Sequence, residues 1–107
     1  MTINEQKAIN VKAVETYNAA MNALEKTHGG YTAKRLRSCT AMVLSVPGYR
    51  LLRSYFTIVA VIDNSEGICY DVLRFVYGYT ATSAQHISKF AHDYADGNKK
   101  LTWRYIK

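Results

Sequence analysis

The segment at 50–62 constrains the fold most. It reads Arg50-Leu51-Leu52-Arg53-Ser54-Tyr55-Phe56-Thr57-Ile58-Val59-Ala60-Val61-Ile62. β-Branched and aromatic residues dominate it, so it predicts one long strand or a strand with a bend. Leu52, Ser54, Phe56, Ile58, Ala60 and Ile62 point one way, and Arg53, Tyr55, Thr57, Val59 and Val61 the other. Its second half is apolar on both faces, which suits a central strand. A sheet must therefore be built around it.

The neighbouring segments supply that sheet. Residues 40–46 are apolar and β-prone, and Val46-Pro47-Gly48-Tyr49 is a turn signal. Asp63-Asn64-Ser65-Glu66-Gly67 reads as a hairpin loop. Residues 68–76 return as a partner strand, with Tyr70, Val72, Arg74 and Val76 on one face. Residues 101–106, rich in aromatics, alternate like a last strand.

Two helices flank these strands. Before Gly29-Gly30, Val11, Val14, Tyr17, Met21 and Leu24 recur at helical spacing and predict one buried face. Lys12, Glu15, Asn18, Asn22 and Glu25 line the other face. Thr82-Ser83-Ala84-Gln85 reads as a capping box opening a second helix, which buries Ile87, Phe90, Ala91 and Tyr94 and stops at Gly97. The expectation is one α+β domain over 1–107 in the order α-β-β-β-α-β, with an antiparallel sheet of about four strands.

A chain of 107 residues has room for one hydrophobic core. No basic region followed by an apolar run opens it, and no apolar stretch is long enough to span a bilayer. A cytoplasmic protein with no membrane partner is expected. Cys39 and Cys69 lack metal-ligand spacing. In a reducing compartment they read as buried small apolar residues rather than a disulfide.

Charge is distributed unevenly. The net charge of +6 lies wholly beyond residue 30, where 11 Lys/Arg face five Asp/Glu. Residues 31–62 carry Lys34, Arg35, Arg37, Arg50 and Arg53 and no acid. Lys99, Lys100, Arg104 and Lys107 form a second acid-free cluster. Such an excess attracts phosphate backbones or acidic protein surfaces, although it also serves solubility. Arg50 and Arg53 differ in parity, so a regular strand turns them to opposite faces. Pairing of the last strand near the first would merge the two clusters. Tyr31, Tyr49, Tyr55, Trp103 and Tyr105 could stack bases beside these cations or anchor a protein interface. The candidate binding residues are Lys34, Arg35, Arg37, Arg50, Arg53, Tyr49, Tyr55, Lys99, Lys100 and Arg104. Trp103 and Tyr105 are also candidates for a homodimer face.

Catalytic signals are weak. His86 and His92 are six apart, which does not put both on one helix face, and no His-Glu-x-x-His pattern occurs. No Gly-x-Ser-x-Gly elbow or Gly-rich phosphate loop is present. Asp63, Glu66, Asp71, Asp93 and Asp96 sit mostly at turns and helix ends, where acids have structural uses. No catalytic residue, metal site or cofactor is expected, and a small nuclease using these carboxylates or His86 ranks last.

Two stretches carry a resemblance. Leu52-Arg53-Ser54-Tyr55-Phe56-Thr57-Ile58-Val59-Ala60 is similar to a strand reading L-x-S-Y-x-T-x-V-A. Tyr79-Thr80-Ala81-Thr82-Ser83-Ala84-Gln85-His86-Ile87-Ser88-Lys89-Phe90 is similar to a turn and helix reading Y-S-A-T-T-x-x-H-I-x-x-F. Together they resemble a small domain of bacteriophages and mobile elements of Gram-positive bacteria. Thr80 stands for the usual Ser and Ser83 for the usual second Thr. The resemblance implies a mobile-element origin and no activity of its own. Small non-catalytic proteins of that origin often inhibit host defence. By that analogy the chain is expected to be an anti-CRISPR inhibitor of a type II effector nuclease, binding the effector or its guide RNA. A basic chain cannot mimic DNA. The alternative is a phage accessory protein that binds DNA or RNA generally.

Overall fold

The computed structural model describes residues 2–36 and 40–102. Helix α1 (Ile3–Lys26) leads into strands β1 (Thr32–Arg35), β2 (Ala41–Val46), β3 (Tyr49–Ser54), β4 (Thr57–Asp63) and β5 (Ile68–Asp71). A single helical turn, α2 (Leu73–Val76), precedes helix α3 (Ala81–Ala95) and strand β6 (Lys99–Leu101). The six strands form one sheet in sequence order. Neighbours are antiparallel except β5 and β6, which are parallel because α3 crosses between them.

The α+β class, the N-terminal helix and the helix before the last strand follow the sequence expectation. The strand count does not: six strands in a mixed sheet replace about four in an antiparallel one. Three local causes account for the difference. β1 is Thr-Ala-Lys-Arg, fully exposed and without an apolar rhythm, so only its pairing with β2 makes it a strand. The long strand expected at 50–62 folds back on itself, because Ser54 pairs with Thr57 across a turn of Tyr55 and Phe56. The strand expected at 68–76 stops at Asp71, whose Oδ1 accepts the Leu73 N–H at 3.1 Å and starts α2. Of the last expected strand, residues 103–106 lie outside the described residues.

The sheet is covered on both faces. Ala41, Val43, Leu52, Ile62, Cys69 and Leu73 pack with Ile87, Phe90, Ala91 and Ala95 of α3. Leu44, Val46, Leu51, Val61, Tyr70 and Val72 pack with Ala13 and Ala20 of α1. This is why β4 is apolar on both sides. The register moves between Leu52, which faces Ala60, and Arg53, which faces Ile58, leaving Val59 as the extra residue of a β-bulge. Val59 and Ala60 thus both belong to the α3 side, and Ile58 joins Val61 on the α1 side. Strict alternation had put Ile58 and Ala60 on the same face.

Helix α1 turns the expected side to the sheet, with Tyr17, Met21 and Leu24 half-buried against the core and Lys12, Glu15, Asn18, Asn22 and Glu25 exposed, but its most buried line lies beside the expected one. Gln6, Asn10, Ala13, Thr16 and Ala20 are its buried residues, while Val11 is 59% exposed. Leu51, Val61 and Tyr70 fill the sheet face opposite, so alanines approach where larger side chains would not fit. The polar members are bonded: Gln6 Nε2 donates to Asn10 Oδ1 at 2.9 Å and to the Leu101 carbonyl at 2.8 Å. The second bond ties α1 to the end of β6.

The cap of helix α3 lies two residues before the expected one. Thr80 is the N-cap, its Oγ1 accepting the Ser83 N–H at 3.3 Å. Asp96 ends the helix in the left-handed region, followed by Gly97. Ile87, Phe90 and Ala91 are buried as expected. Among the described residues, no helix is long and apolar enough to cross a membrane.

Candidate functional site

Among the described residues the β3–β4 turn carries the most exposed aromatic side chain, Phe56. Tyr55 holds φ at 57°, in the left-handed region that bulky residues avoid. Tyr55 is 51% exposed and Phe56 98% exposed. The turn hangs on a short anchor, the Tyr55 N–H donating to the Thr40 carbonyl at 2.7 Å. The bulge at Val59 lies just beyond it on β4.

Beneath the turn is a buried hydroxyl–imidazole cluster. Ser54 ends β3 on the α3 side of the sheet. Its Oγ lies 2.8 Å from Ser83 Oγ and 3.0 Å from His86 Nδ1. All three residues are buried. Ser83 and His86 reach the same point because residues three apart share a helix face. Thr80 sets that phase by starting the helix where it does. The Tyr55 ring leans toward His86, with centroids 6.5 Å apart.

A cavity of about 460 Å³ opens beside the cluster. The turn, Val59 and Leu73 wall it on one side, and Tyr77, Thr80, Thr82 and Ser83 on the other. Among the described residues, no charged side chain lines it. Tyr77 and Tyr79 are exposed nearby in the chain, and the Arg74 guanidinium lies 4.8 Å from the Tyr79 ring centroid.

The structure scatters the candidate cations. Lys34 and Arg35 are exposed on β1, one edge of the sheet. Lys99 and Lys100 lie on β6, the other edge, which is five strand spacings or about 24 Å away. The two basic clusters do not merge through these strands, because β6 pairs with β5 and not with β1. Arg50 and Arg53 do face opposite sides. Arg50 sits 5.1 Å from the Tyr94 ring of α3 and donates through Nη1 to Asn64 Oδ1 at 3.3 Å. Arg53 faces Met42, which faces Arg35, so the two arginines flank Met42 on the α1 side. Two strand spacings, about 10 Å, separate them. This pair ends at the same side of the sheet as the Tyr55–Phe56 turn. Tyr49 is half-buried against the α1 core. Arg37 and Arg104 lie outside the described residues.

The carboxylates do not converge. Asp63 accepts the Ser65 N–H at 2.9 Å and the Ser65 hydroxyl at 2.7 Å, which holds the β4–β5 loop. Asp93 pairs with Lys89 at 3.1 Å and with His92, and these bonds pull its carboxyl below the usual range. Glu66 pairs with Lys12 at 3.6 Å. Asp71 is buried, and desolvation pushes its carboxyl up despite the Leu73 N–H, Lys99 and Arg74. Among the described residues no group of three or more His, Cys, Asp or Glu is placed to hold a metal.

Sequence reasoning named Tyr55 but passed over Phe56, Ser83, Thr80 and Tyr77. A usable signal was present. Ser54 and His86 stand in the two stretches that carry the family resemblance, and both proved to meet at one point. Compared with known proteins, the chain matches no family model, no curated sequence and no solved structure.

Proposed function

We propose that this chain is a non-enzymatic inhibitor of host defence, directed at a type II CRISPR effector nuclease and acting by binding the effector or its guide RNA. One observation carries the choice of RNA: Arg35 and Arg53 lie at the end of the sheet that holds the exposed Tyr55–Phe56 turn, and neither is in an ion pair among the described residues. Cations that hold phosphates next to aromatic faces that stack bases are how single strands are bound. The resemblance to mobile-element domains supplies the biological setting.

An interference assay with purified protein tests this reading. Nuclease activity should fall with added protein and return when excess free guide RNA is supplied. Full cleavage at saturating protein would end the proposal. Arg35→Glu together with Arg53→Glu should remove inhibition. The Arg35 change sits on a fully exposed strand and should cost little stability.

A second reading, a general nucleic-acid-binding accessory protein, draws on Lys99 and Lys100 at the far edge. Cations at both edges suit a partner that wraps the domain without sequence choice. Binding would then fall steeply with salt for DNA and RNA alike.

A further inference from the structure

We infer that the cavity beside Ser54, Ser83 and His86 is a binding site for one unpaired nucleobase of a single-stranded RNA. The inference rests on the RNA reading above and names the part of the RNA that this surface takes. The size is suitable, since about 460 Å³ falls within the range of small-ligand sites. The lining is chemically specific. Among the described residues it combines the hydroxyl-bearing Thr80, Thr82 and Tyr77 with apolar walls and carries no charge. Among the described lining residues a phosphate would find no cation. A neutral, planar ring with polar edges fits both parts of the lining. Hydroxyls donate and accept, so they can meet either kind of edge group on a base.

Two further observations point the same way. Phe56 stands 98% exposed at the rim, on a turn that places a bulky residue at a left-handed φ. An apolar ring held in water by a strained backbone has no packing reason to be there, and a stacked base would cover it. Arg53 precedes Ser54 directly, and Arg35 lies across Met42 from it. Both arginines lie on the α1 side and the cavity on the α3 side, so the sugar–phosphate chain would round the end of the sheet at the Tyr55–Phe56 turn to reach them while the base enters the cavity.

Fluorescence anisotropy with two labelled strands of equal length tests the site: an oligouridylate and an abasic strand carrying the same phosphates. The oligouridylate should bind at least about tenfold more tightly, the size of one base–aromatic stack. Phe56→Ala and Tyr77→Ala should each remove that preference while leaving the salt dependence of binding unchanged. Both residues are exposed, so both variants should fold. Equal binding of the two strands by the unmodified protein would overturn the base site and leave the RNA reading standing. A base preference that survives both substitutions would also overturn it. Failure of both strands to bind at low salt would overturn the site and the RNA reading together.

Discussion

The Ser54 hydroxyl, at the end of a strand, lies 3.0 Å from Nδ1 of His86 on a helix that begins 27 residues later in the chain. That contact, with Ser83 at 2.8 Å, fastens α3 to the β3–β4 turn. Without His86 the Ser54 hydroxyl keeps Ser83, so the cost is one buried hydrogen bond and the emptied space of the ring. His86→Ala should therefore lower stability by about 1–3 kcal/mol. Urea denaturation followed by tryptophan fluorescence would measure it. A variant as stable as the parent would mean that the cluster holds nothing together.

Cys69 offers a probe of the core. Its thiol is fully buried, and burial, with the nearby Asp71 charge, pushes its pKa up to about 12. Thiolate is the reactive form, so the native protein should be inert at this position. In a Cys39→Ser background, a thiol reagent at pH 8 should react only after urea is added. Rapid labelling without urea would show that the α3 side of the sheet opens readily.

Asp71 predicts a pH dependence of known sign. Its folded pKa is raised, chiefly by desolvation, so the folded state holds its proton where the unfolded state has released it. Stability contributed by this group therefore falls as pH rises through the window between the ordinary Asp value and the raised one. Asp71→Asn keeps an oxygen that can accept the Leu73 N–H and carries no charge. The variant should unfold at higher urea concentration than the parent at pH 7. The gap should close as pH falls below the ordinary Asp range. A gap constant with pH would assign the effect to packing.

Tyr55 separates folding from binding. Its left-handed backbone costs an L-residue about 1–2 kcal/mol, and glycine escapes that cost. Glycine also loses more freedom on folding, by about 0.5–1 kcal/mol. Tyr55→Gly should thus leave the melting temperature unchanged or higher, while RNA binding weakens. Thermal melts and anisotropy on one sample give both numbers. A lower melting temperature would show that the Tyr55 ring serves the fold through its contact with His86.

Some of this structure was legible in local sequence. The α3 core positions Ile87, Phe90 and Ala91 follow from helical spacing, and the β4–β5 loop from its turn residues. The opposed directions of Arg50 and Arg53 follow from strand parity, and the bulge leaves them unchanged because its extra residue, Val59, is on β4. For α1 the spacing predicted the helix and the half-buried Tyr17, Met21 and Leu24, but not the fully buried line beside them. Alanines and bonded polar residues won that line from Val11, because the sheet had already filled the space that larger side chains need.

By itself the sequence determined the two long helices, which stretch must lie at the centre of a sheet, and that the chain carries an excess of basic charge. These properties are set by neighbours within a few residues: periodicity, turn chemistry and charge. Only the tertiary structure decided that Thr-Ala-Lys-Arg is a strand, that Lys34 and Lys99 stand at opposite edges, and that Ser54 meets His86 under an exposed aromatic turn. Those facts depend on strand order and on the phase of a helix packed across the sheet. Both are fixed by pairings between distant residues, for which local spacing carries no information.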